Sequence, residues 1–423
     1  MQSRLPRKEL LAYQSVSAFR AGDPQASLRA LEALVAEFPR ESDARANLVR
    51  TLDNLNQGER ALAVLREGLA LDPKDEALLN QLAYSLAAKG DLAGALEADS
   101  QYAAIRPGDP NPWDTRGDAL YLLGRDDEAL AAYRKVLELK PDFQGYQDYL
   151  KLAICYADQK KFALAEAALQ EYGQRTTTLG RLYLSIFEAQ FQQARGDLES
   201  ARESYRKAVA QLGRAGQTAV AGAALQSFAA YSTLLGEGPA ALTFARQQKL
   251  HGEEWLAVSF LEAARGDQQA AERSLQQYAA THPWVGPRGL EFYRGNNEMI
   301  AALLRNDGRA VLAAAGRLPD VQQAWFVFVR ARAHRIVNDA APAEQELRRT
   351  LALERNLSNQ NAMGSRLPLL AMLCHFYLGQ LYEASGKRQQ AVDEYQEFLS
   401  HFEGSRTRLP DVAEARAALK RLL

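Results

Sequence analysis

An all-α fold, built as an α-solenoid of helix pairs, is predicted by three features of this 423-residue chain. Prolines recur at Pro39, Pro73, Pro107 and Pro141, each 34 residues after the last. Small residues stand twelve positions before them, at Ser27, Ala61, Ala95 and Ala129, and glycine-centred turns separate the intervals. A self-similar period of this length means stacked supersecondary units, so the length counts repeats of one solenoid rather than separate globular domains.

Each element of the period has a physical reason. Ser27, Ala61, Ala95 and Ala129 mark where two antiparallel helices cross closely, as do Ser15, Val49, Ala83 and Gly117 twelve residues earlier. Leu31, Leu65, Asp99 and Tyr133, four residues after the small positions, fill the space between crossings. Proline then ends the second helix because it lacks an N–H and clashes with the preceding turn. In Lys89-Gly90-Asp91, Leu123-Gly124-Arg125-Asp126, Arg195-Gly196-Asp197 and Arg265-Gly266-Asp267, glycine closes one helix and aspartate opens the next.

Beyond Pro141 an insertion at Phe143 to Tyr146 shifts the register. A fifth unit carries Ala153, Ala165 and Leu169, a sixth Ala189, Ala201 and Tyr205, and a loose seventh Ala240 and Phe244. The eighth is regular, with Trp255, Ala271, Leu275, Tyr278 and Pro283; a degenerate ninth spans Gly289 to Leu318. Ala331, Ala343 and Leu347 mark a tenth, and an eleventh follows the Ser/Asn-rich connector Asn356 to Ser365. About eleven pairs result, closed by an amphipathic helix from Asp411 to Leu423, capped by Asp411, whose Ala415, Leu419 and Leu422 cover the open end. We divide the continuous solenoid into regular units at 1–177, degenerate units at 178–300, and C-terminal units with the capping helix at 301–423.

Composition narrows the function. A hydrophobic share of 47% with 24% charged residues is globular, and 51 basic against 52 acidic residues leave a formal charge of -1, so a nucleic-acid partner is not expected. Cys155 and Cys374 are too few for a disulfide scaffold. No export signal precedes Arg20, and no run of about 18 uncharged apolar residues occurs, so neither membrane insertion nor export is expected and a cytoplasmic location is.

These residues resemble the tetratricopeptide repeat (TPR) family. Its pattern asks for an aromatic at position four, Gly or Ala at eight, Ala at twenty, an aromatic or Leu at twenty-four and Pro near thirty-two. Pro110 to Phe143 supplies Trp113, Gly117, Ala129, Tyr133 and Pro141, and the units beginning at Lys8, Ser42 and Glu76 follow in register. The resemblance implies a right-handed superhelix with the first helix of each pair lining a concave groove. Both ends, Glu9 to Tyr13 with Phe38-Pro39 and Tyr377 to Gly386 with Tyr395 to Leu399, also look like TPR arrays fused to bacterial eukaryotic-like serine/threonine kinases and related signalling regulators. That likeness implies a kinase-like effector domain outside this chain, and a periplasmic location if the parent is a membrane kinase.

Enzyme signatures give way to structural readings. Gly386-Lys387 lacks the earlier glycine of a phosphate loop and sits where the repeat needs a turn. Cys374-His375 has no histidine at ligand spacing around it, so no metal is assigned. His334-Arg335 is followed by Ile336 rather than the aspartate of a kinase catalytic loop. Asp126-Asp127-Glu128 and Glu253-Glu254 fit first helical turns, and Tyr133, Tyr205, Tyr278 and Tyr395 fit the core. No catalytic residue, cofactor or enzyme activity is therefore expected.

The groove remains. The positions that face it in the family select Asn47, Arg50, Asp53 and Asn54, then Asn80, Gln81 and Tyr84, then Asn111, Asp114, Asp118 and Tyr121, then Gln147 and Lys151. Amides can pair with an extended backbone through donor and acceptor alike, while Tyr gives apolar area and Arg50 a charge. The set that holds a chaperone's C-terminal carboxylate is not matched, since Ala12, Val16, Ala77 and Gln81 stand at four of its five places and only Asn47 agrees. The expected function is a non-enzymatic scaffold that binds a protein or peptide, in a bacterial signalling context. The competing reading is a sensor of a small peptide or sugar, with a pocket near Trp255, His282 and Trp284.

Overall fold

The computed structural model describes residues 5–55, 57–319, 323–357, 364, 366–403, 405, 407 and 409–423. Among them are 23 α-helices and no strand. They form eleven consecutive pairs and a final single helix, the α-solenoid class that the period predicts. Most of the connector Asn356 to Ser365 lies outside the described residues.

The first four pairs are α1 (Arg7–Arg20) with α2 (Pro24–Glu37), α3 (Ser42–Asn54) with α4 (Gly58–Leu71), α5 (Glu76–Ala88) with α6 (Leu92–Ile105), and α7 (Asn111–Leu122) with α8 (Asp126–Leu139). Next come α9 (Gln147–Asp158) with α10 (Phe162–Arg175), α11 (Thr178–Ala194) with α12 (Leu198–Arg214), α13 (Thr218–Leu234) with α14 (Gly238–Arg246), and α15 (Glu254–Ala264) with α16 (Gln268–Thr281). The last are α17 (Gly286–Leu304) with α18 (Gly308–Ala315), α19 (Ala324–Ile336) with α20 (Ala340–Glu354), α21 (Pro368–Ala384) with α22 (Arg388–Ser400), and the terminal α23 (Pro410–Leu422).

Local chemistry sets the boundaries. Asp23, Asp75, Asp91, Asp197, Asp267 and Asp307 each accept a hydrogen bond from the N–H three residues on, satisfying a donor that the helix start leaves open. Asp411 does not cap: α23 begins at Pro410 after Leu409, which puts Asp411 inside the first turn. The face that α23 buries is Val412, Ala415 and Ala418, with Leu419 and Leu422 half-buried beside it.

The crossings are as tight as the small residues require. Ala61, Ala95, Ala129, Ala165, Ala201, Ala343 and Ala391 are fully buried. A Cβ on Gly117 would overlap the ring of Tyr133, and one on Gly379 would come within 2.7 Å of Tyr395 Cδ1. Both tyrosines are buried and would contribute about 1.5–3 kcal/mol each through apolar area.

The described chain divides into two compact units. Of the described residues, the first takes those up to 144, with 283–291 and 319; the second takes those of 145–282, 292–318 and 323–423. In the first, Leu11, Leu31, Leu48, Leu65 and Leu78 join one core, and the α1–α2 turn meets residues 288 and 289 through the Asp23–Arg288 ion pair and the close approach of Gly22 to Gly289. The insertion at Phe143 to Tyr146 is a 3-10 turn with left-handed backbone at Gln144, Gly145 and Tyr146.

In the second unit the chain returns on itself. α11 packs against α21, the Leu369 N–H donates to Gln193 Oε1 at 3.2 Å, and Arg366 reaches Asp158 at 3.1 Å. Lys160 pairs with Glu397 at 2.8 Å, and Ser405 and Thr407 donate to the Gly196 carbonyl at 2.7 and 2.6 Å. Gly196 has a φ of 72° and lies so near the His401 carbonyl that a Cβ would collide with it, so this turn needs glycine twice over. Among the described residues no helix is long and apolar enough to cross a membrane.

Candidate functional site

Equivalent residues of α3, α5 and α7 recur in rows because these are first helices of successive pairs. Asn47 and Gln81 share one row; Arg50, Tyr84 and Asp118 share another; Asn80 and Asp114 share a third. Exposure falls along the rows. Asn47, Arg50 and Asn54 are exposed, Asn80, Gln81 and Tyr84 are half-buried, and Asp114, Asp118 and Tyr121 are buried. Lys151, also buried, is on α9 in the second unit.

The open end of the rows is chemically unsaturated. Arg50 donates to Asn47 Oδ1, while the side-chain amides of Asn54 and Gln81 hydrogen-bond to nothing among the described residues. Asn80 accepts from Thr115 Oγ1 at 3.0 Å through its oxygen, which leaves its NH2 group for another partner. Asp53 accepts from Ser85 at 3.4 Å, and burial pushes its carboxyl up to about 6 against the opposing pull of Ser85 and Lys89.

The closed end is a fixed polar cluster. Tyr84 Oη donates to Asp118 Oδ2 at 2.8 Å and Tyr133 Oη donates to Oδ1 at 2.8 Å. Thr115 and Tyr133, which hold Asn80 and Asp118, lie outside the groove positions of the repeat, and their separation from Asn80 and Asp118 is not the 34-residue period that would mark them. Asp99 adds a buried carboxyl at the position that Leu65 and Tyr133 fill elsewhere. It is 2% exposed, neither oxygen has a hydrogen-bond partner, and burial pushes it up to about 8, against the charge of Arg116.

The expected tryptophans and histidine differ in burial. His282 is a core residue: its ring stacks on Tyr278 at 4.2 Å, and Nδ1 lies 2.8 Å from Thr281 Oγ1 and 3.0 Å from the Tyr278 carbonyl. Trp255 is half-buried in the second unit, whereas Trp284 is exposed in the first. A cavity of about 910 Å³ lies in the second unit between Arg195, Arg202 and Glu237 and the returning residues Ser405 and Thr407. The Arg195–Asp197 pair at 3.1 Å and the Arg202–Glu237 pair stand in its wall.

The residues set aside as non-catalytic have structural employment. Cys374 is fully buried, which drives its thiol well above the usual range, and His375 Nδ1 meets Glu394 Oε2 at 2.6 Å. Asp126, Asp127 and Glu128 occupy the first turn of α8, and Gly386 is a left-handed turn residue with a φ of 70°. Among the described residues no three His, Cys, Asp or Glu side chains converge as a metal site would require.

The tetratricopeptide repeat family matches residues 18–84, 110–143 and 374–405. These three segments match tetratricopeptide repeats, and the second match coincides with the fourth helix pair. No curated protein matches the chain. Among solved structures, PilW, a type IV pilus biogenesis factor, is 20% identical with a TM-score of 0.34 over 59% of this chain and 96% of that one. The APC/C hetero-tetramer Cut9-Hcn1 is 15% identical with a TM-score of 0.31 over 99% and 97%. A tetratricopeptide repeat protein from Parabacteroides merdae is 12% identical with a TM-score of 0.31 over 69% and 98%.

Proposed function

We propose that this chain is a non-enzymatic interaction scaffold whose first unit binds an extended peptide segment of a partner protein across α3 and α5. Tetratricopeptide repeats generally mediate protein–protein interaction, and proteins built from them are generally not enzymes. The observation that carries the reading is the pair of uncommitted amides, Asn54 and Gln81, on adjacent first helices beside the exposed Arg50. An extended peptide offers both N–H and C=O along one edge, which an amide side chain can bond in either sense. Arg50 adds preference for an acidic residue, and the half-buried Tyr84 adds apolar area. Asp114, Asp118 and Tyr121, on α7 beside α5, support the face from beneath.

The scaffold serves as the regulatory part of a bacterial signalling system, a setting supported by the likeness of both ends to kinase-fused arrays. A sensor of a small peptide or sugar is the second reading, favoured by the cavity beside Arg195 and Thr407, whose volume suits such a ligand. Affinity capture from bacterial lysate with the full chain as bait, scored by mass spectrometry, distinguishes them. A scaffold enriches one protein, and Arg50→Ala or the double variant Asn54→Ala/Gln81→Ala loses it. Enrichment that survives both variants rejects the α3–α5 face as the site.

A further inference from the structure

The second unit holds a pair of arginines that the repeat does not explain. Arg332 and Arg335 lie three residues apart on α19, and both guanidiniums sit over the ring of Tyr377 on α21, at 4.7 and 4.1 Å from its centroid. Tyr377 is itself buried. Arg335 donates to Gln380 Oε1, and Gln380 in turn donates to Glu414 on α23. Among the described residues no carboxylate lies within 4 Å of either guanidinium, and Arg332 makes no hydrogen bond at all.

Their neighbours are treated differently. Arg330 pairs with Glu346 at 3.0 Å, Arg348 with Glu344 at 3.3 Å and Arg349 with Glu346 at 3.7 Å, so the same helix pair supplies acids to the arginines that only stabilise it. Two like charges one turn apart repel, and burial makes the repulsion worse; the Arg335 guanidinium is held below its usual value by burial, with Arg332 adding to the effect. Asp411 and Glu414 bear on the site from α23 without closing on it. A fold tolerates such local conflict where a ligand resolves it. The cation–π contacts with the tyrosine hold both guanidiniums in place, which prepares their N–H groups for a planar oxyanion.

We infer that Arg332 and Arg335, positioned by Tyr377 and Gln380, form a binding site for the side-chain carboxylates of an acidic peptide segment. The site lies wholly in the second unit and does not rest on the reading of α3 and α5.

The test uses the full chain and a fluorescein-labelled, C-terminally amidated peptide of alternating glycine and glutamate, followed by fluorescence anisotropy at low ionic strength. Arg332→Gln and Arg335→Gln are each expected to weaken binding about tenfold, the loss of one charge-assisted hydrogen bond. Arg416→Gln, which removes the same charge from an exposed position on α23, leaves affinity unchanged, and the glutamine version of the peptide does not bind. The inference is overturned if the wild-type chain does not bind the glutamate peptide, or if Arg416→Gln weakens binding as much as the other two. It is equally overturned if the double variant Arg332→Gln/Arg335→Gln keeps its affinity while melting well below wild type, since the pair then serves packing alone.

Discussion

Tyr84 and Asp118 stand one repeat apart and are joined by a 2.8 Å hydrogen bond from the tyrosyl hydroxyl to Oδ2. Because Tyr133 occupies the other oxygen, one carboxylate ties α5, α7 and α8 together. A charged acceptor shared by two phenols is stronger than two neutral pairs, and it is buried, so each group depends on the others.

Removing that acceptor takes a buried charged partner from two phenols. Asp118→Ala is expected to cost about 2–4 kcal/mol, and Tyr84→Phe, which removes one bond, about 1 kcal/mol. Urea denaturation followed by circular dichroism measures both; equal midpoints for Asp118→Ala and wild type would show that the cluster adds no stability.

Asp99 gives a pH dependence of definite sign. Its folded value of about 8 lies above the ordinary 3.8, so the folded chain holds the proton more firmly than the unfolded one. Folding takes up a proton between about pH 4 and 8, and the contribution to stability is largest below that window and lost as pH rises through it. Asp99→Leu, the residue that Leu65 supplies one repeat earlier, should flatten this part of the stability profile and gain about 1–3 kcal/mol above pH 8. Thermal melts across pH 4 to 9 in wild type and variant decide it, and parallel profiles would remove Asp99 as the source.

Gly117 and Gly379 should respond alike to one methyl group. Gly117→Ala presses on Tyr133 and Gly379→Ala on Tyr395, rings that are buried and cannot retreat, at a cost of about 1–3 kcal/mol each. Adding Tyr133→Leu to Gly117→Ala should recover part of the loss as a favourable coupling energy. Strict additivity in that cycle would place the strain somewhere other than the ring.

The returning contacts of the second unit predict shared behaviour at distant positions. Arg366 is buried, donates to the Glu354 carbonyl at 2.6 Å and pairs with Asp158. Arg366→Ala should cost about 3–5 kcal/mol by taking its cation from the buried Glu354 carboxyl and the half-buried Asp158. Hydrogen exchange should then accelerate in α9, α11 and α21 together. Faster exchange confined to α21 would mean that the return contacts are not energetically coupled.

The period made the helix pairs legible because it repeats a steric requirement: Ala129 under Tyr133 and Gly117 opposite it can be read without coordinates. Exposure of the groove rows could not be read that way, since Asn47 and Asp118 carry the same kind of signal and differ only in what surrounds them. Asp99 looked like a filler of the helix crossing, and nothing in the spacing shows that its oxygens lack partners. Asp411 was misplaced by one turn position because Pro410 can itself start a helix. The return of the chain was invisible for a simpler reason. Lys160 and Glu397 lie 237 residues apart, and a repeat pattern constrains only neighbours.

That return sets a timetable for biosynthesis. Leu369 leaves the ribosome 176 residues after the Gln193 side chain that it engages. At translation rates of about 5–20 residues per second, the matching surface of α11 waits about 10–35 s for its cover. During that interval the nascent second unit is an open array whose return contacts have not yet formed, and its folding is completed only after the last helices have been made.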